Sequence, residues 1–156
     1  MEEKVNITEE LITGTRENFS MMLPGELLVC ASDAGAADNI RANIAAIIGF
    51  GGGIRGALIV HSTKQAAINI TNGLLGIKVV ELDEDVRDAL GEIANMIAGN
   101  LKVSFAKINK DVKLAIPTSI LGDSFSLCGF GDAHRVMVPM SVDGASFGIE
   151  LLYVDN

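Results

Sequence analysis

The sequence predicts an α+β fold, with a mainly antiparallel sheet of about six strands and helices packed on one face. Segments with apolar residues at helical spacing form groups, separate from segments with the two-residue alternation of strands. The elements follow in the order helix, three strands, two helices, three strands. Runs of strands between runs of helices are typical of α+β proteins, which gather their helices on one face of the sheet.

Length and composition predict a single domain that spans residues 1–156. A chain of this length can bury one sizeable core, and no linker or low-complexity tract divides it. The hydrophobic fraction is 49%, but the aromatic fraction is 4% and Trp is absent. The core must therefore be built from aliphatic side chains and Met.

Charge and the cysteines argue against several classes of function. A formal net charge of −8 with scattered Lys and Arg disfavours nucleic acids and anionic membranes, which bind clustered basic residues. The acidic start, Met1 to Lys4, lacks the features of a secretion signal, so we expect a cytoplasmic protein. The longest apolar run, Ile44 to Val60, is interrupted by glycines, so we expect no membrane insertion. Cys30 and Cys128 have no CxxC spacing and are expected to be reduced thiols.

The first predicted element is a helix from about Asn6 to Met22, and the second is a short strand. Asn6 or Thr8 would cap the helix, and Pro24 with Gly25 would end it. The strand covers Glu26 to Ala31, where the spacing of apolar residues changes.

Two further strands are predicted on either side of a glycine turn. Apolar residues alternate from Ile40 onward, Gly51 to Gly53 form the turn, and Ile54 to His61 form the next strand. We expect these strands and the first one to be neighbours in the sheet.

Two helices follow. The first begins at a capping box, with Gln65 three residues after Ser62, and ends at Gly76. The second is capped by Asp83, whose acidic neighbours suit the positive end of the helix dipole, and runs to about Lys107.

The last three strands complete the predicted sheet. The final two are joined across Asp143 and Gly144, a pair typical of a tight hairpin. Leu121 to His134 is predicted as one long loop, within which Phe125 to Cys128 could form a short strand. The strands cover Val112 to Ile120, Arg135 to Met140 and Ala145 to Val154.

The long second helix of this pair carries the candidate site. At 100° per residue, Asp88, Glu92, Asn95 and Gly99 share one polar stripe. The opposite side is apolar and should lie against the sheet, with Val86, Leu90, Ile93, Ile97 and Leu101.

An ordinary solvated helix face is the simplest interpretation of such a stripe. Two features favour a binding site instead. Gly91, Ala98 and Gly99 leave bare backbone that a partner could approach, although each glycine costs the helix about 1 kcal/mol. Asp88 and Glu92 are like charges one turn apart, which a stabilising surface would avoid.

The motif in this helix resembles that of a known family. Asp88, Glu92 and Asn95 have the spacing D-x-x-x-E-x-x-N, and Pro117 follows one residue earlier than the family's spacing. This pattern resembles the CheC/CheX/FliY family of chemotaxis phosphatases, and the CheX type most closely. Further similar phrases are Gly91 to Asn100, Gly56 to Val60 before a capped helix, and Ser146 to Leu151. The first helix has no E-x-x-N, which implies one site per chain, as in the CheX type.

The resemblance implies a CheC-like fold and removal of the phosphoryl group from the aspartyl phosphate of a CheY-like response regulator. Asn95 would hold the attacking water, because an amide can donate and accept hydrogen bonds and does not titrate near neutrality. Glu92 would bind the regulator's active-site lysine, and Asp88 would lie at the rim. The chain would need no cofactor of its own, since the regulator would bring Mg²⁺. A homodimer is expected by the same analogy.

Other functions remain as alternatives. The chain could be a non-catalytic CheX-like adaptor or scaffold that binds a receiver domain or a flagellar motor component. A phosphate cradle at Gly51 to Gly53 with Arg55 is disfavoured, because the G-x-G-x-x-G order and a following helix are absent. His61 and His134 lack ligands at metal spacing, and Cys128 has no identifiable base. A small-molecule site beside the helix has no motif in its favour.

Overall fold

The computed structural model describes residues 6–22, 27–29, 41–125 and 133–155. These ranges contain three helices and seven strands. In chain order they are α1 (Ile7–Met22), β1 (Leu27–Val29), β2 (Ala42–Gly52), β3 (Ile54–Ser62), α2 (Lys64–Leu75), α3 (Glu84–Ala106), β4 (Val112–Leu114), β5 (Thr118–Phe125), β6 (His134–Val142) and β7 (Ala145–Asp155).

The strands form one antiparallel sheet that is six strand positions wide. The order across the sheet is β1, β6, β7, β3, β2 and β4, and β5 also pairs with β2. The predicted α+β class and width are therefore confirmed. The expectation that β1 lies beside β2 is wrong, because β1 pairs with β6 at the opposite edge. Strands adjacent in sequence are not always adjacent in the sheet.

The predicted strand from Val112 to Ile120 is interrupted. Leu114 pairs with Phe50, and Thr118 pairs with Ile47. The three residues 115–117 therefore lie opposite only two residues of β2, 48 and 49. This is a β-bulge, and it contains Pro117, which has no N–H to donate to the ladder. The chain then continues as β5 as far as Phe125. The predicted loop from residue 121 is thus wrong for residues 121–125, while residues 126–132, with Cys128, lie outside the described residues.

The helix caps follow the predictions with one correction. Asn6 Oδ1 accepts a hydrogen bond from Glu9 N at 3.2 Å, so Asn6 caps α1. Thr63, one residue after the predicted Ser62, caps α2 by accepting from Ala66 N. Ser62 is instead the last residue of β3, and this rules out the predicted capping box. Gly76 ends α2 in the left-handed conformation, as predicted.

The helices cover one face of the sheet and enclose the main core. Phe19 of α1, Leu90 of α3 and Ile149 of β7 all belong to this one apolar cluster. A smaller cluster lies on the other face, with Ala45, Ile59 and Leu152 as its buried members. Within the described ranges, no helix is long and apolar enough to cross a membrane.

The hairpin between β6 and β7 is formed as predicted. Asp143 and Gly144 both have positive φ, at 49° and 82°. A two-residue turn of this kind matches the twist of the two strands, so it sets the register of the pairing between β6 and β7.

Candidate functional site

Helix α3 is a rigid support for the candidate site. Asp83 Oδ1 accepts a hydrogen bond from Val86 N at 3.2 Å and so caps the first turn. The acidic residues Glu84 and Asp85 follow at the positive end of the helix dipole. The apolar face predicted from helical spacing is confirmed, because all five of its side chains are at most 3% exposed, namely Val86, Leu90, Ile93, Ile97 and Leu101.

The polar stripe of α3 faces away from the core. Asp88, Glu92 and Asn95 are exposed, and Gly99 is half-buried. In the part of the chain that the structure describes, the side chains of Glu92 and Asn95 make no hydrogen bond or ion pair. An amide and a carboxylate on the same face of one rigid helix are therefore free to bind a partner.

One flank of the stripe is covered by α1. Glu10 accepts hydrogen bonds from Ser104 Oγ at 3.0 Å and from Lys107 Nζ at 3.2 Å. Farther along α1, a Cβ on Gly14 would lie 3.2 Å from Asn100 Nδ2, so the two helices run antiparallel in close contact. The hydrogen bond from Lys107, followed by that from Ser104, holds the pKa of Glu10 below its ordinary value of 4.5. Glu10 thus fixes α1 on α3 and is not a free acid.

The other flank of the stripe borders a groove between α3 and the start of β5. The groove has a volume of about 510 Å³. Gly91 faces Pro117, since a Cβ on Gly91 would lie 3.7 Å from the Cβ of Pro117. One wall is formed by Glu84, Arg87, Asp88, Gly91 and Glu92 of α3, and the other by Pro117, Thr118 and Ser119.

The small residues beside the stripe do not all lie on its surface. Ala98 is 1% exposed and belongs to the main core, so its prediction as a partner-binding residue is wrong. It lies two helical turns after Gly91, on the flank of α3 that contacts β4 and β5. Gly99 behaves differently, since a Cβ there would meet no atom of the structure within 4 Å.

The sequence pattern does not identify three of the groove residues. Arg87 is exposed and is one of the scattered basic residues, while Thr118 and Ser119 lie inside a predicted strand. The proline of the motif was the only sequence signal for this wall. The bulge that brings Pro117 against Gly91 also brings the two hydroxyl residues to the groove.

The histidines are engaged elsewhere. On the face of the sheet opposite α3, His61 Nε2 and Glu150 Oε1 share a hydrogen bond of 2.9 Å, and both residues are 1% exposed. Arg135 Nε donates to the second oxygen of Glu150. Burial alone would raise the pKa of Glu150, but the hydrogen bonds from His61 and Arg135 outweigh it and hold the pKa below 4.5.

His134 stacks on Tyr153 with ring centroids 5.0 Å apart. Among the described residues, no group of three or more His, Cys, Asp or Glu is arranged to hold a metal.

Comparisons with known sequences agree with the resemblance found in the motif. The family model described as Chemotaxis phosphatase CheX matches residues 44–141. The chain is also similar to the CheY-P phosphatase CheX of Thermotoga maritima, with 31% identity over 101 residues. That match covers 64% of this chain and spans 64% of the length of the relative.

Solved structures confirm the CheC-like fold. A CheC-like superfamily protein from Shewanella sp. PV-4 has a TM-score of 0.85 and 22% identity, with 97% of this chain and 99% of that chain covered. A CheX–CheY–BeF₃–Mg²⁺ complex from Borrelia burgdorferi has a TM-score of 0.80 and 18% identity, with 97% and 100% covered. At these identities the similarity shows a shared fold.

Proposed function

This chain belongs to the chemotaxis phosphatase CheX family, and from that premise we propose that it hydrolyses the aspartyl phosphate of a CheY-like response regulator. The observation that carries the proposal is the pair Glu92 and Asn95, exposed on α3 without partners in the described chain. The curated relative with 31% identity is named a CheY-P phosphatase, which supports this substrate. Activity on a CheY-like regulator also requires a shared compartment, so the proposal places the chain in the cytoplasm.

Asn95 is the catalytic residue of the proposal. Its carboxamide would accept one hydrogen bond from a water molecule and hold it in line with the phosphorus atom. The water oxygen forms a bond to phosphorus as the bond between phosphorus and the aspartyl oxygen breaks, which releases inorganic phosphate and a carboxylate. Because phosphoryl transfer depends mainly on positioning and charge neutralisation, one well-placed amide can be sufficient.

Glu92 is the docking residue of the proposal. It lies almost one helical turn before Asn95, and its exposed carboxylate would pair with the regulator's active-site lysine. This contact would set the depth and direction with which α3 enters the regulator's site. The regulator would supply Mg²⁺, which neutralises charge on the phosphoryl oxygens. Asp88 lies one turn farther from Asn95 and would contact the rim.

The expected homodimer and the adaptor alternative both remain proposals. A homodimer remains expected by family analogy. The alternative is a non-catalytic adaptor that uses the same α3 surface to bind a receiver or motor component. A free amide beside the docking carboxylate favours hydrolysis, because binding alone does not require it.

The first prediction concerns catalysis. Asn95→Ala should lower the rate constant of catalysed dephosphorylation of a phosphorylated receiver by about 100-fold or more, because the water loses its positioning group. Decay of a ³²P-labelled receiver would measure this. The matched control is Asn100→Ala, which removes the same amide from α3 on the side facing α1. Equal acceleration by wild type and Asn95→Ala would contradict the catalytic role of Asn95, and no acceleration by either would favour the adaptor.

The second prediction concerns docking. Glu92→Lys should weaken binding to a BeF₃⁻-activated receiver by about tenfold or more, since it opposes two positive charges. Isothermal titration calorimetry would give the dissociation constant, and Lys102→Glu provides a charge reversal elsewhere on α3. Unchanged affinity for Glu92→Lys would contradict the docking role.

A further inference from the structure

We propose that the groove between α3 and β5 binds the receiver surface next to its phosphorylation site, and that Arg87 and Ser119 help to select which receiver is accepted. The inference rests on the proposed function, because Glu92 belongs both to the catalytic pair and to the wall of the groove.

The first argument is that the groove adjoins the catalytic pair on α3. Arg87 precedes Glu92 by five residues, which is about 7.5 Å along the helix axis. A specific protein interface covers about 800 Å² on each partner. A receiver seated on Glu92 and Asn95 therefore extends over one or both flanks of the stripe. On one flank α1 packs against α3, where Glu10 accepts a hydrogen bond from Ser104 Oγ, whereas the β5 flank has a groove of about 510 Å³.

The chemistry of the walls is the second argument. Arg87 is exposed, and in the described chain its guanidinium has no ion pair or hydrogen bond. Ser119 is half-buried, and its hydroxyl is likewise without a partner there. The carboxylates of Glu84 and Asp88 also line the groove. Unpaired polar groups of both signs suit a polar protein surface, while small-molecule pockets are mostly apolar.

The shape of the groove is the third argument. Gly91 leaves the helix backbone bare on the α3 wall, where an added Cβ would lie 3.7 Å from the Cβ of Pro117 on the β5 wall. A longer side chain on either wall would fill the groove. Arg87 is the one cation among the described residues that line the groove, so a receiver with a carboxylate or carbonyl at that point would be preferred over one with a basic side chain.

The test uses one substitution that adds bulk to the groove and one that removes its positive charge. Neither substitution changes Glu92 or Asn95. Ser119→Gln adds bulk to the β5 wall, and its control is Ser124→Gln on the exposed far end of the same strand. Arg87→Ala removes the cation, and its control is Lys102→Ala, an exposed cation farther along α3. Binding to a BeF₃⁻-activated receiver and dephosphorylation of two different phosphorylated receivers from the host would be measured for each variant.

We expect Ser119→Gln to weaken binding and kcat/KM by about tenfold, with kcat within about twofold of wild type. Arg87→Ala should change the ratio of kcat/KM between the two receivers by about threefold or more, whereas Asn95→Ala lowers both alike. The two controls should match wild type. Arg87→Ala lies on an exposed helix surface and keeps the test valid even where Ser119→Gln fails to fold.

Two outcomes would overturn the inference, and they can be told apart. Wild-type binding and unchanged receiver preference in the groove variants, with activity lost in Asn95→Ala, would reject the groove and leave the proposed function standing. A wild-type chain that accelerates dephosphorylation of no receiver would reject the proposed function and the groove with it.

Discussion

Asn95 and Glu92 are suited to different tasks at the level of single residues. The amide of Asn95 can accept and donate hydrogen bonds without changing charge, so its proposed action does not depend on its own titration. The carboxylate of Glu92 offers charge, which is effective over a longer distance and guides a cationic partner. Since neither side chain has a partner in the described chain, a receiver would bind them without first breaking an internal contact.

The third prediction is that alanine substitutions at two glycines change the free energy of unfolding in opposite directions. Gly99→Ala should raise the free energy of unfolding by about 1 kcal/mol, because alanine favours the helix and its Cβ meets no neighbour. Gly56→Ala should lower it by about 1–3 kcal/mol, because its Cβ would lie 1.9 Å from Leu152 O across the sheet. Urea denaturation of both variants would measure the difference. Destabilisation by Gly99→Ala would mean that the α3 surface is covered at that point.

Helical periodicity predicted the residues of α3 that lie at the centre of either face. It placed Leu90 in the core and Glu92 on the surface correctly. It failed for Ala98, which lies near the boundary between the faces, where the outcome depends on which neighbouring element covers that flank. Arg87 and Ser119 lie far apart in sequence, so their shared groove depends on a strand pairing that the pattern did not specify.

At the scale of elements, α3 is held at its start by a cap, along its side by α1 and below by the sheet. The bulge before β5 then sets where the second wall of the groove stands. Pro117 inside a predicted strand was a signal for this interruption, because a proline cannot donate to the ladder. The edge at which β1 pairs had no comparable signal, since three apolar residues fit either edge of an antiparallel sheet equally well.

A fourth prediction concerns the cap of α3. Asp83→Ala should cost about 1 kcal/mol of stability and loosen the first turn, since Val86 N loses its acceptor. Because Glu84 and Arg87 lie in that turn and line the groove, receiver binding should weaken while kcat is retained. Thermal denaturation and calorimetry would measure both effects. Asp85→Ala is the control, as it removes an acid from the same turn without removing the cap; equal losses in the two variants would contradict the capping role.

At the scale of the whole molecule, two carboxylates join different elements of the fold. Glu10 connects α1 to the far end of α3, and Glu150 connects β7 to His61 of β3 and Arg135 of β6. Both have a pKa below 4.5, so in each case the folded protein favours the charged form. The contact between α1 and α3 and the contact among three strands are thus both stronger when the carboxyl group is ionised.

The fifth prediction follows from the sign of these shifts. A carboxyl whose pKa is lower in the folded than in the unfolded state contributes stability above its unfolded pKa, and this is lost as pH falls through the folded pKa. Stability should therefore decline as pH falls below about 4.5. At about pH 7, Glu150→Gln should cost about 3 kcal/mol, because Arg135 and His61 lose a buried charged partner.

Urea denaturation between about pH 7 and pH 3 would test this prediction, since the difference between wild type and Glu150→Gln should narrow as the wild-type carboxyl takes up its proton. Glu81→Gln is the matched control. Its ion pair with Lys64 joins side chains that are 74% and 48% exposed, so its loss should cost less than about 1 kcal/mol at any pH. A difference that stays constant over the whole range would mean that Glu150 is already protonated in the folded protein, and that the His61 and Arg135 contacts do not depend on its charge.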